Sequence, residues 1–134
     1  MASEYVVFGD LEAAAITWLA ARVGDVQVGT EVPDPRPDEL IKVSRTGGSD
    51  TNIVTERGQL TFEVWAADSV RASELCRLVA ALVRAVDGQT VDDIFIRRVR
   101  TVGGPVSFPD PTTDLPRYQY TAELATRYVS VGGI

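Results

Sequence analysis

The charged side chains in the second half of the sequence have the types and spacing for one kind of chemistry, the pairing of arginine with carboxylate. Arg97, Arg98 and Arg100 lie close together, and Asp110 and Asp114 follow in a proline-rich loop predicted over 103–116. A guanidinium offers several donors in a fixed fork that matches a carboxylate. Prolines lower the entropy lost when a segment is held in one shape, so the aspartates are presented by a stiff loop. Because one chain carries two unlike patches, we predict a head-to-tail contact between copies, which closes into a ring or continues as a filament.

Two further residues are predicted to lie at this subunit interface. Trp65 belongs to the strand pattern QLTFEVWAA and lies on its more polar face, where it contacts a partner or lies under a loop. Arg117 begins the last strand pattern, and Glu63 can pair across the sheet with Arg97 or Arg117. We interpret that pair as structural or interfacial rather than as a general acid or base. The predicted interface is Trp65, Arg97, Arg98, Arg100, Asp110, Asp114 and Arg117.

Composition excludes most catalytic and metal-binding chemistry. The chain has no histidine, and Cys76 is its one cysteine. An intrachain disulfide, a zinc site of Cys and His ligands, and nucleophile–histidine catalysis are therefore excluded. Asp92 and Asp93 are adjacent, so in a strand they point to opposite faces and do not favour a metal site. The glycine-containing loops lack the spacing of a phosphate-binding loop. We predict no enzymatic activity, no metal and no cofactor.

The overall charge bounds the kinds of partner. The 134-residue chain has a net charge of -6 and a pI of about 4.6. This balance argues against general binding of nucleic acid and against an anionic membrane surface. The longest uncharged apolar run, AAAITWLAA, is far shorter than the roughly 20 residues that span a bilayer. We expect no membrane partner.

Hydrophobic spacing predicts one domain over 1–134, with flexible ends at 1–7 and 129–134. Helices are expected over 10–24, where Asp10 caps the N-terminus, and over 68–88, where Asp68 or Ser69 does so. Three strand patterns lie between them, with 46–58 as a loop or long hairpin tip, and two strands follow. The predicted class is α+β, with a mostly antiparallel sheet of four to five strands, two helices packed on it, and the order α-β-β-β-α-β-β. The strand at 93–102 is expected to leave the core partway, because its arginines are costly to bury.

The passage QLTFEVWAADSVRASELCRLVAALV, which leads from a strand into the second helix, resembles the tail terminator proteins of long-tailed bacteriophages. The ending GPVSFPDPTTDLPRYQYTAELATR, a proline-rich loop followed by a final strand, is similar to actinobacteriophage members of that group. The similarity extends from about Phe8 to Tyr128. It consists of an order of elements and a style of loop, not of a catalytic motif.

The resemblance implies a structural virion protein. Members of that family form a ring, commonly of six subunits, that caps the tail tube at full length and offers a surface to the head connector. The implied partners are further copies of the chain, the major tail tube protein and the head connector or stopper protein. The implied location is the head-proximal end of the virion tail, after synthesis in the host cytoplasm. Genomic DNA would pass through the ring without specific binding, and an acidic lining that includes Asp50 and Glu56 would keep it mobile.

Three alternatives remain open on sequence grounds. The first is another head–tail connector or neck subunit, which the sequence barely separates from a terminator. The second is a small ligand-binding or enzymatic α+β domain, which needs a pocket with convergent polar groups. The third is a host regulatory module, which the absence of a basic patch disfavours if its target is DNA.

Overall fold

The structure, a computed structural model, describes residues 4–52 and 54–133. These residues form nine elements in the order β-α-β-β-β-α-β-β-β. The strands are β1 (Glu4–Phe8), β2 (Gln27–Gly29), β3 (Leu40–Asn52), β4 (Thr55–Trp65), β5 (Thr90–Val91), β6 (Ile94–Ser107) and β7 (Arg117–Gly133), and the helices are α1 (Leu11–Ala20) and α2 (Ser69–Ala85).

Both helices begin where the capping residues predict. The Asp10 carboxylate accepts a hydrogen bond from the Ala13 N–H at 3.0 Å, and Asp68 accepts one from the Arg71 N–H at 2.8 Å. Each bond satisfies a backbone donor that has no partner within the helix. α1 ends earlier than expected, at Ala20, and the chain turns before Gly24 adopts a φ of +68°.

The sheet is larger than predicted and is mixed. Its seven strands have the order β2-β3-β4-β7-β6-β5, with β1 paired to β7. β2 runs parallel to β3, because residues 30–39 return the chain along the sheet edge to the start of β3; the other pairs are antiparallel. The expectation of four to five mostly antiparallel strands is therefore wrong, as is the element order, although the class is α+β and the sheet is curled.

One face of the sheet is apolar and packs against the helices, whereas the other is polar. Alternate residues of the central strands β4 and β7 face the helices and are buried: Leu60, Phe62, Val64, Tyr120, Ala122 and Leu124. The helices add Leu19, Leu75, Val79 and other apolar side chains to the same core. Within this core, burial raises the pKa of the Cys76 thiol to about 12, so the thiol stays neutral. The opposite, outer face carries polar and charged side chains.

The β3–β4 hairpin and β6 extend beyond the helices. The segment predicted as a loop, 46–58, is paired strand up to Asn52 and again from Thr55, with register shifts after Arg45 and Asp50. β6 is buried at Ile94 and Ile96 and exposed along most of its remaining length, which agrees with a strand that leaves the core. It also continues through residues 103–107, which were predicted as part of the loop, because two register shifts let the strand keep its pairing with β7.

The two ends of the described chain are paired with each other. Glu4 lies opposite Gly133 and Val6 opposite Val131, so residues predicted to belong to flexible ends form an antiparallel ribbon. The Tyr5 ring lies over Gly132, where a Cβ would meet its ring atoms. Several apolar side chains of this ribbon are exposed, among them Tyr5, Val7, Val129 and Val131.

Candidate functional site

The outer face of the sheet is held by hydrogen bonds rather than by apolar packing. A row of hydroxyls crosses three strands, with Thr46 Oγ1 3.0 Å from Thr61 Oγ1 and Thr61 Oγ1 3.2 Å from Thr121 Oγ1. The Gln59 side-chain amide donates to Thr46 Oγ1 at 3.1 Å. This row separates two differently charged ends of the sheet, which we call the acidic end and the arginine groove and define below.

At the acidic end, the proline-rich loop 108–116 is fastened to the strands on either side of it. Three backbone hydrogen bonds close the loop, including that from Phe108 N–H to Arg117 O at 2.8 Å. Trp65, the last residue of β4, donates its indole N–H to Asp110 Oδ2 at 3.2 Å. Because Trp65 is only 4% exposed, its ring supports the loop from below and is not a free contact surface.

Arg117 joins the same cluster from β7. It is 8% exposed, donates to Phe108 O at 2.9 Å and to Glu63 Oε1 at 3.2 Å, and lies 5.5 Å from the centre of the Trp65 ring. Lys42 Nζ is 3.6 Å from the other oxygen of Glu63. The predicted pair between Glu63 and an arginine is therefore confirmed for Arg117, whose guanidinium also bonds the Phe108 carbonyl of the same chain.

A second proline-rich segment, 31–39, is tied to the first. Arg36 lies between Pro35 and Pro37, and its Nη1 is 3.7 Å from Asp110 Oδ2. The Asp110 carboxylate also accepts a hydrogen bond from the Thr112 N–H at 2.9 Å. This bond, followed by the one from Trp65, holds the pKa of Asp110 below its usual range. Asp110 thus has partners in its own chain.

Exposed carboxylates surround this cluster. Asp34 and Asp38 flank Arg36, and Asp114 lies four residues beyond Asp110 with a φ of +56°. Within the part of the chain that the structure describes, none of the three carboxylates forms an ion pair. The acidic end is the region of the two joined proline-rich segments and the residues that hold them. Its exposed carboxylates are Asp34, Asp38 and Asp114.

The arginine groove lies at the opposite end of the strands. Arg57 on β4 and Arg98 on β6 are both register partners of Ala125 on β7, which lies between them. The small alanine leaves a floor between two long side chains, and the resulting groove has a volume of about 280 Å³. Its lining is Thr51, Thr55, Arg57, Arg97, Arg98 and Ala125.

The groove carries an excess of positive charge. A smaller groove of about 140 Å³ shares Arg57, Arg98 and Ala125 with it and adds Arg100 and Glu123, which are 3.5 Å apart. Arg97 Nη1 donates to Thr55 Oγ1 at 3.2 Å. Among the described residues, Arg57, Arg97 and Arg98 have no carboxylate within ion-pair distance. Three exposed guanidiniums therefore face a shared groove without counter-charges.

The two residues predicted to line a channel lie on the β3–β4 hairpin, and neither lines the arginine groove. Asp50 and Glu56 are register partners, and Glu56 Oε1 accepts a hydrogen bond from Arg45 Nη1 at 2.8 Å. Asp50 is exposed. Their expected role in facing a channel stays a prediction.

The predicted interface residues thus fall into two separate groups. Trp65, Asp110 and Arg117 meet at the acidic end and contact one another or shared neighbours, whereas Arg97, Arg98 and Arg100 line the grooves at the other end. Sequence reasoning missed Arg36 and Arg57. The prolines around Arg36 were a visible signal for the first, but only the register of β4 against β7 identifies the second.

Two other features concern the described residues as a whole. In residues 4–52 and 54–133, no group of three or more His, Cys, Asp and Glu side chains is placed to hold a metal ion. Neither of the two helices in these ranges has the length and apolar content needed to cross a bilayer.

Comparison with solved structures finds chains of similar fold, one of which belongs to a virion. The fold is similar to that of a chain in the virion of a native gene transfer agent particle, with a TM-score of 0.67 and 16% sequence identity. The similarity covers 87% of this chain and 94% of the other. The sequence matches no known family profile, and no curated protein is similar to it in sequence. The two chains therefore share a fold over nearly their whole lengths.

Proposed function

We propose that this protein is a structural component of a phage-like virion and that it forms a ring which caps the tail tube. The observation that carries the proposal is the fold shared with a chain of a gene transfer agent virion over 94% of that chain. The resemblance of the sequence to tail terminators supports the finer role. In this role the protein ends tail polymerisation and presents a surface to the head connector.

The charge distribution supports assembly as the activity of this surface. Buried side-chain nitrogen and oxygen atoms in the described ranges all have hydrogen-bond partners. The charges that lack an ion pair at the two ends of the sheet are exposed and have opposite signs. A surface of this kind is suited to contact between proteins, because opposite charges steer association and fix register.

The role is tested in the virus or particle that encodes the chain. Deleting its gene is expected to give tails of variable, excessive length that lack heads, since nothing stops the tube at its normal length. Gold-labelled antibody on intact particles is expected to mark the junction of head and tail. A complementing copy of the gene restores uniform tails and serves as the control.

Two other results would overturn the role. Tails of normal length without heads would assign the protein to the head–tail connector instead of the terminator. Particles of normal form in the deletion strain, together with absence of the protein from purified particles, would remove it from the virion altogether.

A further inference from the structure

We propose that the arginine groove of one copy of this chain receives the acidic end of a second copy. The inference rests on the proposed function, since it names the surfaces through which a ring would be built. It differs from the pairing expected from the sequence in its acceptor residues. Asp110 was a predicted acceptor for a neighbour's arginines, but its carboxylate is already bound by Arg36, Trp65 and the Thr112 N–H.

The groove has the geometry of a carboxylate receptor. Arg57 and Arg98 stand on strands either side of β7, which places their Cα atoms roughly 10 Å apart across Ala125. Long guanidinium side chains on both sides of a small floor residue can close on an oxygen pair placed between them. Arg97 adds a third cation at the same groove, and Thr51 and Thr55 add hydroxyls to its lining.

The acidic end has the matching properties. Asp34 and Asp38 are exposed, project from a segment with prolines at 33, 35 and 37, and flank an arginine that is fixed to Asp110. A segment held in this way loses little conformational entropy when it is bound. Asp114 extends the negative surface onto the proline-rich loop 108–116.

The two surfaces cannot meet within one chain. Arg57 and Trp65 are eight residues apart on β4, so the groove and the loop anchor are separated by about 27 Å of extended strand. They are also attached to the same sheet, which keeps them apart. Complementary patches at opposite ends of one rigid body produce a head-to-tail contact, and such contacts repeat from copy to copy.

A second copy is favoured over nucleic acid as the occupant. The chain has 19 acidic against 13 basic residues, so a polyanion that approaches the groove meets a net negative protein. Another copy has the same net charge, but it concentrates carboxylates on a stiff segment of its surface, and carboxylates fit a groove lined by three arginines.

The test is a charge exchange between two double variants. Arg57→Glu/Arg98→Glu reverses the groove, and Asp34→Arg/Asp38→Arg reverses the acidic end. Each variant alone then carries the same charge on both surfaces, whereas an equimolar mixture again offers opposite charges at every contact. Arg77→Glu/Arg84→Glu, on the exposed face of α2, is the control for the groove variant because it makes the same change in net charge, and circular dichroism checks the folding of all variants.

Self-association is measured by analytical ultracentrifugation and native mass spectrometry over a range of protein concentrations. We expect each exchanged variant to associate more weakly than the unmodified chain, by on the order of tenfold or more, and the mixture to recover association. The control pair should behave as the unmodified chain. If a reversed variant does not fold, Arg57→Gln/Arg98→Gln takes its place and should weaken association without a change of sign.

Three outcomes would overturn the inference. One is unchanged association of both exchanged variants, and a second is a mixture that remains monomeric. The third is a shift of duplex DNA by the unmodified chain that the Arg57→Glu/Arg98→Glu variant loses, which would assign the groove to nucleic acid. Particles in which the protein marks the head–tail junction while the variants associate normally would keep the proposed function and reject only this pair of surfaces.

Discussion

The acidic end and the arginine groove use the same residue types in opposite ways. At the acidic end, Arg117 is 8% exposed and its guanidinium contacts Glu63, Phe108 and Trp65. In the groove, Arg98 is exposed and has no carboxylate partner within the described ranges. An arginine in or beside a strand pattern therefore has no fixed role. Its role follows from whether its own chain brings acceptors to it.

The two ends of the sheet should therefore contribute to different free energies. Groups fastened at the acidic end should contribute to the free energy of unfolding of a single chain, whereas groups of the groove should contribute to association. Four tests probe this division, and the expected effect decreases from the first test to the last.

The largest effect is expected for Trp65→Ala. Removing a ring that is 4% exposed leaves a cavity beneath loop 108–116, and the expected loss in the free energy of unfolding is about 3–5 kcal/mol. Urea unfolding followed by circular dichroism measures it. Trp65→Phe keeps most of the ring and loses mainly the hydrogen bond to Asp110, so it should cost only about 0.5–1.5 kcal/mol. A loss below about 1 kcal/mol for the alanine variant would mean that the loop is not held by Trp65.

Arg117→Met and Arg98→Met form a matched pair. The first removes a buried guanidinium with two hydrogen-bonded oxygens and should cost about 1.5–3 kcal/mol, while Lys42 and Gln119 still neutralise and bond Glu63. The second changes an exposed side chain and should stay within about 0.5 kcal/mol. The same unfolding assay compares them. Equal losses for the two variants would contradict the division between the ends.

Gly104 and Gly103 provide a backbone test in the strand that leads to the acidic end. Gly104 has a φ of +83°, and a Cβ there would lie 2.3 Å from Gln119 O. Gly104→Ala is therefore expected to cost about 1–3 kcal/mol in the free energy of unfolding. A Cβ at Gly103 meets no heavy atom within 4 Å, so Gly103→Ala should be neutral or slightly stabilising. The reverse order would show that the bend at Gly104 is not required.

The smallest effect concerns the protonation of Asp110. Because its pKa is lowered in the folded chain, the contribution of the carboxylate is present above the unfolded pKa of about 3.9 and is lost as pH falls through the lower folded value. The indole N–H signal of Trp65 in NMR spectra should shift in that range. The Trp18 N–H, which donates to Leu82 O at 2.8 Å, is the internal reference. In Asp110→Asn the Trp65 shift should disappear.

Local rules explain which parts of the fold were predictable. The helix starts at Asp10 and Asp68 depend on side chains within a few residues, so the sequence contains the information. The alternation of Leu60, Phe62 and Val64 likewise predicts a strand with one buried face. β1 was missed because Glu4–Phe8 is stabilised by residues 128–133, and no local pattern reveals a partner at the other end of a chain.

The full length of the hairpin between β3 and β4 was not predicted, for a related reason. Gly47, Gly48 and Ser49 favour a loop when read locally, yet they pair with Gln59, Gly58 and Arg57 across the hairpin. A φ of +147° at Gly48 and the register shift after Arg45 accommodate these residues within the ladder. Two of the predicted strands were therefore too short. The extra length puts Arg57 beside Ala125 and builds one wall of the groove.

The candidate site was predicted in its residue types but not in its pairing. Arg97, Arg98 and Arg100 stand out because arginines in a strand need acceptors, and the structure places all three along the grooves. The choice of Asp110 as an intermolecular acceptor failed to consider Trp65 and Arg36. Both are distant in sequence and approach the loop only when the sheet forms.

Lys42 determines how the outer face of the sheet reacts with reagents that modify amines. It is the one lysine in the sequence, and its Nζ lies 3.6 Å from Glu63 Oε2. Reagents that modify lysine side chains will therefore label a single place on the sheet, and a carbodiimide will tend to join Lys42 to its own neighbour instead of to another molecule. The proposed contact consists of arginines in the groove and aspartates at the acidic end, and it contains no lysine. Amine-directed cross-linkers therefore have no side-chain target within it, whereas glyoxal reagents directed at arginine would detect the loss of reactivity when the groove is filled.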